Sequence, residues 1–440
     1  MMKAALMTLG CKLNQADTMA LAGILREAGY QITPWNEKAD LYLINTCTVT
    51  SCTDQQSRQA IRQAIRKNPS AFIIATGCYA QIDPQAIARI EGVDLILGNQ
   101  EKSDLRQYLK ALSKAKDSPP RIAAGNISRS AQYRDGKGVR PESSFRTRPL
   151  LKIQDGCNGK CAYCIIPRAR GPERSLPPHQ AKRQLSNFLA QGFREIVLTG
   201  IRLGAYGRDL TEAITLCQLA EDFSHLPGSW RLRLSSLEPQ DISATALIST
   251  LHGSGRLCRH LHLPLQSGDD EILASMNRTY RVETYRELVE NLARRIPGIS
   301  LGTDIIVGFP GETREHFLRT YRFLKELPLA YLHVFPFSPR PGTFAATLAE
   351  SVSPQEKKER ARELRSLSRE KSRQFREGFI GKRLEVIVLR KWEEGKGRWA
   401  LSDNYLPLLI QDGTEEMVGQ LLSIEVERME EGMLLGQWRK

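Results

Sequence analysis

Three cysteines sit within eight residues of this chain, Cys157, Cys161 and Cys164, in a C-x3-C-x2-C spacing. They follow an apolar run at 150–153 that reads as a short buried strand, and Gly156 and Gly159 keep the loop bendable. Such a loop can place three thiolates on the corners of one iron–sulfur cube, which normally takes four. With no fourth cysteine in the loop, one iron would stay open to a substrate or cofactor. A structural zinc site wants four ligands, and the nearest downstream histidine, His179, lies past a Pro-rich turn. A disulfide would leave an odd thiol with no secretory context.

A second set is scattered. Cys11, Cys47 and Cys78 each directly follow a strand candidate: residues 2–9, 41–44 and 71–75. Ligands of open parallel sheets bind beyond the carboxyl ends of the strands, so parallel pairing would bring these thiols to one edge. Buried cysteines at strand ends are the ordinary alternative. Cys52 could compete with Cys47, but it sits in a polar loop or first helical turn, whereas Cys47 ends the apolar strand.

The elements that must position these groups follow from periodicity. Residues 1–118 alternate strand and helix patterns, with helices at 16–28 and 56–66, which predicts an N-terminal parallel α/β domain. Residues 119–148 form a linker that opens on Pro119-Pro120 and lacks sustained periodicity. From Arg121 to Arg148 it carries Arg121, Arg129, Arg134, Lys137, Arg140, Arg146 and Arg148 against Asp135 and Glu142, with Tyr133 and Phe145 interleaved. That mix suits a phosphate backbone with occasional base stacking, or a solvated linker. Residues 149–378 hold six strand–helix units and a charged trailing helix at 351–378, read as having a solvated face. The six units predict a partial (β/α)6 barrel whose chemistry lies on the loops after its strands. Glycine-bearing loops after the second, fourth and fifth strands (200–207, 264–268 and 308–313) are read as room for a bulky ligand. Residues 379–440 carry five short strand patterns and predict a small β-barrel.

The chain has 440 residues, 41% hydrophobic and 25% charged, enough for two to three domains. Its formal net charge of +14 favours a polyanionic partner such as nucleic acid. No apolar run approaches the ~18 residues of a membrane span. The N-terminus reads as a first strand rather than a signal peptide, so the expected compartment is the cytoplasm.

The cysteine loop, with Tyr163 as the aromatic before its last cysteine, resembles the radical S-adenosylmethionine (SAM) superfamily. The order of domains is similar to that of the methylthiotransferases, with a C-terminal module like the one called TRAM. The strings Thr8-Leu-Gly-Cys11-Lys-Leu-Asn14, Asn45-Thr-Cys47, Thr76-Gly-Cys78, His262-Leu-Pro-Leu-Gln-Ser-Gly268 and Asp304-Ile-Ile-Val-Gly-Phe-Pro-Gly-Glu-Thr313 carry the likeness. It implies two 4Fe-4S clusters: an auxiliary one on Cys11, Cys47 and Cys78, and one on Cys157, Cys161 and Cys164 that binds and cleaves SAM beside Tyr163. Pro172-Glu173-Arg174 and the string from Val334 to Thr343 look most like the branch acting on N6-threonylcarbamoyladenosine beside the tRNA anticodon. Branches acting on isopentenyladenosine or on a ribosomal protein aspartate are close alternatives. A non-catalytic iron–sulfur RNA-binding protein is the alternative of another class. The implied reaction replaces an inert adenine C2–H with a methylthio group. It needs a radical, tRNA, an external electron donor and a sulfur source that the sequence does not name. Arg202 departs from the family pattern, which has Asn or His there.

Overall fold

The computed structural model describes residues 1–110, 119–130, 132–134 and 146–438. The chain divides into two units. One comprises Met1–Ser143, Gln154–Ser175 and Ser338–Ala346; the other comprises Ser144–Ile153, Leu176–Phe337 and Thr347–Lys440.

In the first unit, β1 (Lys3–Thr8), β2 (Gln31–Thr33), β3 (Leu41–Thr46), β4 (Phe72–Gly77), β5 (Leu95–Leu97) and β6 (Arg121–Ala123) pair in parallel, in the order β2-β1-β3-β4-β5-β6. Every residue of β3 is buried, as a strand covered on both faces requires. Tyr42, Ile44, Ile73 and Ile96 pack with Ile61 and Ala64 of the helix Ser51–Lys67. Leu41, Leu43 and Ile74 pack with Leu21, Ile24 and Leu25 of the helix Lys12–Glu27. Burying each leucine or isoleucine among them is worth about 1.5–3 kcal/mol. The first helix starts four residues before the expected position, because Cys11 already takes its N-cap.

The sheet also takes in β6, which the sequence reading placed in the linker. Three residues after Pro119-Pro120 show no period of two; pairing with β5, Leu95 opposite Arg121, orders them. Arg121 lies over the Tyr108 ring and Arg134 pairs with Asp104. Asp135, Lys137, Arg140, Glu142 and Phe145 lie outside the described residues. After β7 (Leu150–Lys152), which belongs to the second unit, β8 (Gln154–Asp155) and β9 (Arg174–Ser175) pair antiparallel within the first and clip the cysteine loop at its base.

In the second unit, β7 continues with β10 (Glu195–Thr199), β11 (Arg231–Leu234), β12 (His260–His262), β13 (Ser300–Val307) and β14 (Tyr331–Pro336). These form two parallel ladders, β11-β10-β7 and β12-β13-β14. Backbone bonds from Cys258 N to Leu232 O and from Leu237 N to His262 O join them. Among the described residues β7 and β14 do not pair, so the six strands make an open barrel. The helix Pro354–Glu377 is not solvated all round: Ala361, Leu364 and Leu367 are buried, and Ser368 bonds the backbone of β14.

The C-terminal strands β15 (Arg383–Glu393), β16 (Gly397–Ser402), β17 (Pro407–Ile410), β18 (Leu421–Glu430) and β19 (Met433–Trp438) close into a barrel, in the order β15-β16-β17-β19-β18. Val386, Val388, Ala400, Leu408, Ile424 and Val426 fill it. Two arginines of β11 fasten it. Arg231 donates to Glu385 O and Leu401 O, and Arg233 donates to Ser402 O and Asp403 O. Both also hold Glu195, at 2.7 and 2.8 Å, and Arg148 joins them at 3.1 Å. Burial alone would raise the Glu195 pKa, but Arg233 and Arg231 outweigh it and hold the carboxyl far below the usual carboxylate range. Removing that charge leaves buried guanidiniums uncompensated. Glu195→Gln is therefore expected to lower unfolding free energy by about 3–5 kcal/mol in urea titrations. A carboxyl with a depressed folded pKa contributes fully above its unfolded value near ~4.3 and loses that contribution as pH falls towards its folded value. The wild type should thus lose more stability than the variant on acidification below about pH 4.

Candidate metal centres

Register explains how three cysteines separated in sequence share one sheet edge. Thr8 stands opposite Asn45, and Asn45 opposite Thr76. Cys11 lies three residues beyond this row, and Cys47 and Cys78 two beyond it. Cys11 caps the helix Lys12–Glu27, Cys47 follows β3, and Cys78 opens the helix Cys78–Ile82. Gly10 shows how close the turns run: with φ at +89°, an added Cβ would stand 2.6 Å from Cys47 Sγ. Asn14 stitches the first two turns by donating to Leu9 O and Thr46 O, while Asn45 donates to Asn14 O. Cys47 and Cys78 are buried and Cys11 is exposed. Burial, then the neighbouring Cys78, pushes the Cys47 thiol up to about 12. Cys52 is exposed in the first turn of the helix Ser51–Lys67, whose capping box is built by Thr50 and Thr53.

Cys157, Cys161 and Cys164 belong to the same unit and are all half-buried. Their loop is tightly closed. Gly156 has φ at +74°, and a Cβ there would fall 1.8 Å from Pro172 O, so only glycine fits. Cys157 N donates to Gly171 O, and Asn158 and Glu173 exchange side chain-to-backbone bonds across the loop. Gly159 N donates to Cys157 Sγ at 3.2 Å. Tyr163 is half-buried between Ala162 and Cys164.

One buried network ties the two sets together. Arg170 ends the short helix Ile166–Arg170 and is fully buried. It pairs with Asp155 at 3.1 Å and Asp17 at 2.9 Å, and donates to Asn14 Oδ1. Lys102 completes the network on Asp17 and Asn99, and Asn99 donates to Ala169 O and lies 3.7 Å from Cys78 Sγ. Burial alone would lower the Arg170 pKa; Asp155, Cys78, Asp17 and Cys11 outweigh it and hold it well above its ordinary value. Ser338–Ala346 adds a second tie. Arg340 donates to Thr48 Oγ1 and pairs with Asp54, while Ala345 N donates to Ala162 O. The sequence reading gave no role to Arg170, Asp17, Asn99, Lys102 or Arg340. Arg170 lies six residues past Cys164, and its partners come from distant segments, so local spacing does not mark it.

These residues fit an anionic metal cluster. The Arg170 Nε–H is buried without an acceptor among the described residues, close to Cys11 and Cys78, and a buried donor of that kind costs free energy until an acceptor arrives. A single zinc ion would hold thiolates about 3.8 Å apart, from Zn–S bonds of ~2.3 Å. Among the described residues, the sets of three ligand atoms lying within 4.8 Å of one another contain no cysteine. Neither trio is drawn in to the spacing of a single zinc ion.

Some loop readings change. Gly204, Gly268 and Gly308 are crowded by Asp241, Thr320 and Lys357, within 2.4–2.9 Å of an added Cβ, so packing against protein accounts for them. Arg202 forms a bidentate pair with Asp241, at 2.6 and 2.8 Å, and Asp241 also holds Arg208. Its charge is thereby committed.

Residues 3–98 match a family described as uncharacterized protein family UPF0004, and residues 151–324 match the Radical SAM superfamily. The solved structure of a radical S-adenosylmethionine methyltransferase, TsrM, from Kitasatospora setae shares the fold, with a TM-score of 0.57 at 16% identity over 78% of this chain and 77% of that one. A threonylcarbamoyladenosine tRNA methylthiotransferase of Bacillus subtilis is 38% identical over 95% of this chain and 92% of its own. One of Aquifex aeolicus is 39% identical over 96% and 100%. A tRNA-2-methylthio-N(6)-dimethylallyladenosine synthase of Desulfitobacterium hafniense is 31% identical over 99% and 97%. The chain belongs to the radical SAM tRNA methylthiotransferase family. No helix among the described residues is long and apolar enough to cross a membrane.

Proposed function

We propose that this chain adds a methylthio group to C2 of N6-threonylcarbamoyladenosine next to the anticodon of tRNA. The observation that carries the reading is the placement of two cysteine trios in one unit, joined through the buried Arg170. Supporting the substrate, identity is 38–39% to two relatives named for threonylcarbamoyladenosine and 31% to one named for the dimethylallyl substrate.

When bound, two 4Fe-4S clusters and SAM supply the electron, the radical and the methylthio group that an inert adenine C–H bond demands. Cys157, Cys161 and Cys164 would hold the SAM-binding cluster, with Tyr163 at the cofactor, and Cys11, Cys47 and Cys78 the auxiliary one. The chain's own residues orient and shield these groups. Gly159 N steadies the Cys157 sulfur. Arg170 fixes the loop to the sheet edge and brings positive charge beside Cys11 and Cys78. An external electron donor and a sulfur donor complete the set of partners, and the protein works in the cytoplasm.

Nucleoside mass spectrometry of tRNA from a strain lacking the protein tests this. The 2-methylthio form of threonylcarbamoyladenosine should disappear while its unthiolated precursor accumulates. Loss of the methylthio-isopentenyl nucleoside instead would move the assignment to the other tRNA branch.

A further inference from the structure

The inner face of the open barrel carries a polar group that neither cysteine set uses. In β14, Leu332 and Val334 are buried, on the side where the helix Pro354–Glu377 bonds the strand. The alternate residues Tyr331, His333 and Phe335 therefore face the other way, and His333 and Phe335 are exposed. Asp304 stands opposite His333 in the β13–β14 register, and His262 opposite Gly302, two residues before Asp304. These side chains meet. His262 Nε2 lies 2.8 Å and His333 Nδ1 3.2 Å from the same oxygen, Asp304 Oδ1. His262 is fixed from behind, its Nδ1 3.1 Å from the Tyr331 hydroxyl, which also bonds His260 Nε2. Tyr405 of the C-terminal barrel stacks on His260, with centroids 4.2 Å apart.

The result is a carboxylate held by two imidazoles on one oxygen. Hydrogen bonds from His262 and His333 outweigh burial and keep its pKa far below the usual range, so it stays an acceptor at neutral pH. The other oxygen, Oδ2, takes no bond from the described residues, and the Asp304 side chain is 25% exposed, which leaves that oxygen for a ligand. Two residues beyond His333, Phe335 is 46% exposed on the same face. An aromatic plate beside a fixed acceptor and an exposed imidazole is the equipment for an unstacked, modified base: the ring stacks, the acceptor takes N–H donors, and the imidazole meets an acid group.

We propose that Asp304, His333 and Phe335 read the polar N6 substituent of the target adenosine, Asp304 Oδ2 accepting from its carbamoyl N–H and His333 facing its carboxylate. This rests on the substrate reading above. An isopentenyl arm offers neither a urea donor nor an anion, so the site separates the two tRNA substrates by leaving its own polar groups unpaired with the wrong one. His262 and Tyr331 are positioning residues that set the Asp304 carboxylate.

The test is binding of fluorescent anticodon stem-loops carrying threonylcarbamoyladenosine or plain adenosine to the full chain, without turnover. The wild type should prefer the modified stem-loop. His333→Leu and Asp304→Asn should each lower that preference about tenfold, with affinity for the plain stem-loop unchanged, and His333→Leu, at an exposed position, should also leave the melting temperature unchanged. His333→Gln should keep part of it. Variants that retain the full preference would overturn the proposal; a wild type with no preference would overturn the substrate reading beneath it. A stoichiometric divalent ion, lost with its ligand in His333→Leu and found by elemental analysis, would overturn it in favour of a metal site, since these three ligand atoms lie within 4.8 Å of one another.

Discussion

Replacing Cys157, Cys161 and Cys164 together by Ala is expected to abolish release of 5′-deoxyadenosine from SAM under anaerobic, reducing conditions. The loop has no other thiol, and its closure does not depend on the three sulfurs. Gly156, the Cys157 N to Gly171 O bond and the β8–β9 clip fix the backbone. The variant should therefore fold and still bind tRNA while losing SAM cleavage entirely, because cluster chemistry has no partial substitute among the loop's remaining side chains. Chromatographic assay of the nucleoside decides it. Release that survives the change would place the chemistry elsewhere and favour a protein whose clusters are structural.

Arg170→Met should cost as much stability as Glu195→Gln and, unlike it, should also loosen the hold on iron. The guanidinium is fully buried and bonds two carboxylates and one amide. Without it, Asp17 keeps Lys102, while Asp155 keeps the Gly156 N–H at 2.8 Å and a longer approach from Arg174, at 3.8 Å. Breaking such a buried set by removing one partner costs about 3–5 kcal/mol. Urea unfolding of the full chain should show that loss, and iron retention on desalting should fall with it, because the same side chain fastens the loop to the edge that carries Cys11 and Cys78. Arg170→Lys should recover only part, since one ammonium cannot span Asp155 and Asp17 as a planar fork does. A loss below about 1 kcal/mol would show that the network is not what joins the two sets.

Local pattern made much of this legible in advance. Continuous apolar runs such as residues 41–44 marked buried strands, and cysteines just past three of them followed from the geometry of parallel sheets. The C-terminal barrel was visible because its five strands are separated by turn residues. What could not be read depends on distant pairings. The edge strand β6 has no period of its own and exists through β5. The cysteine loop segregates with the N-terminal sheet rather than with the strand before it, because Arg170, Asn99 and Arg340 bind across 70 to 292 residues of sequence. Gly204, Gly268 and Gly308 suggested ligand space, yet groups from distant segments fill it, while Gly311 stays open.

The most direct test of the account is iron and sulfide content per chain after anaerobic reconstitution, in the wild type and in two triple variants. The account predicts two clusters in the wild type. It predicts one cluster after Cys157, Cys161 and Cys164 become Ala, and one after Cys11, Cys47 and Cys78 do, with distinguishable spectra. A full complement retained by either variant, or a wild type that never exceeds one cluster, would contradict it.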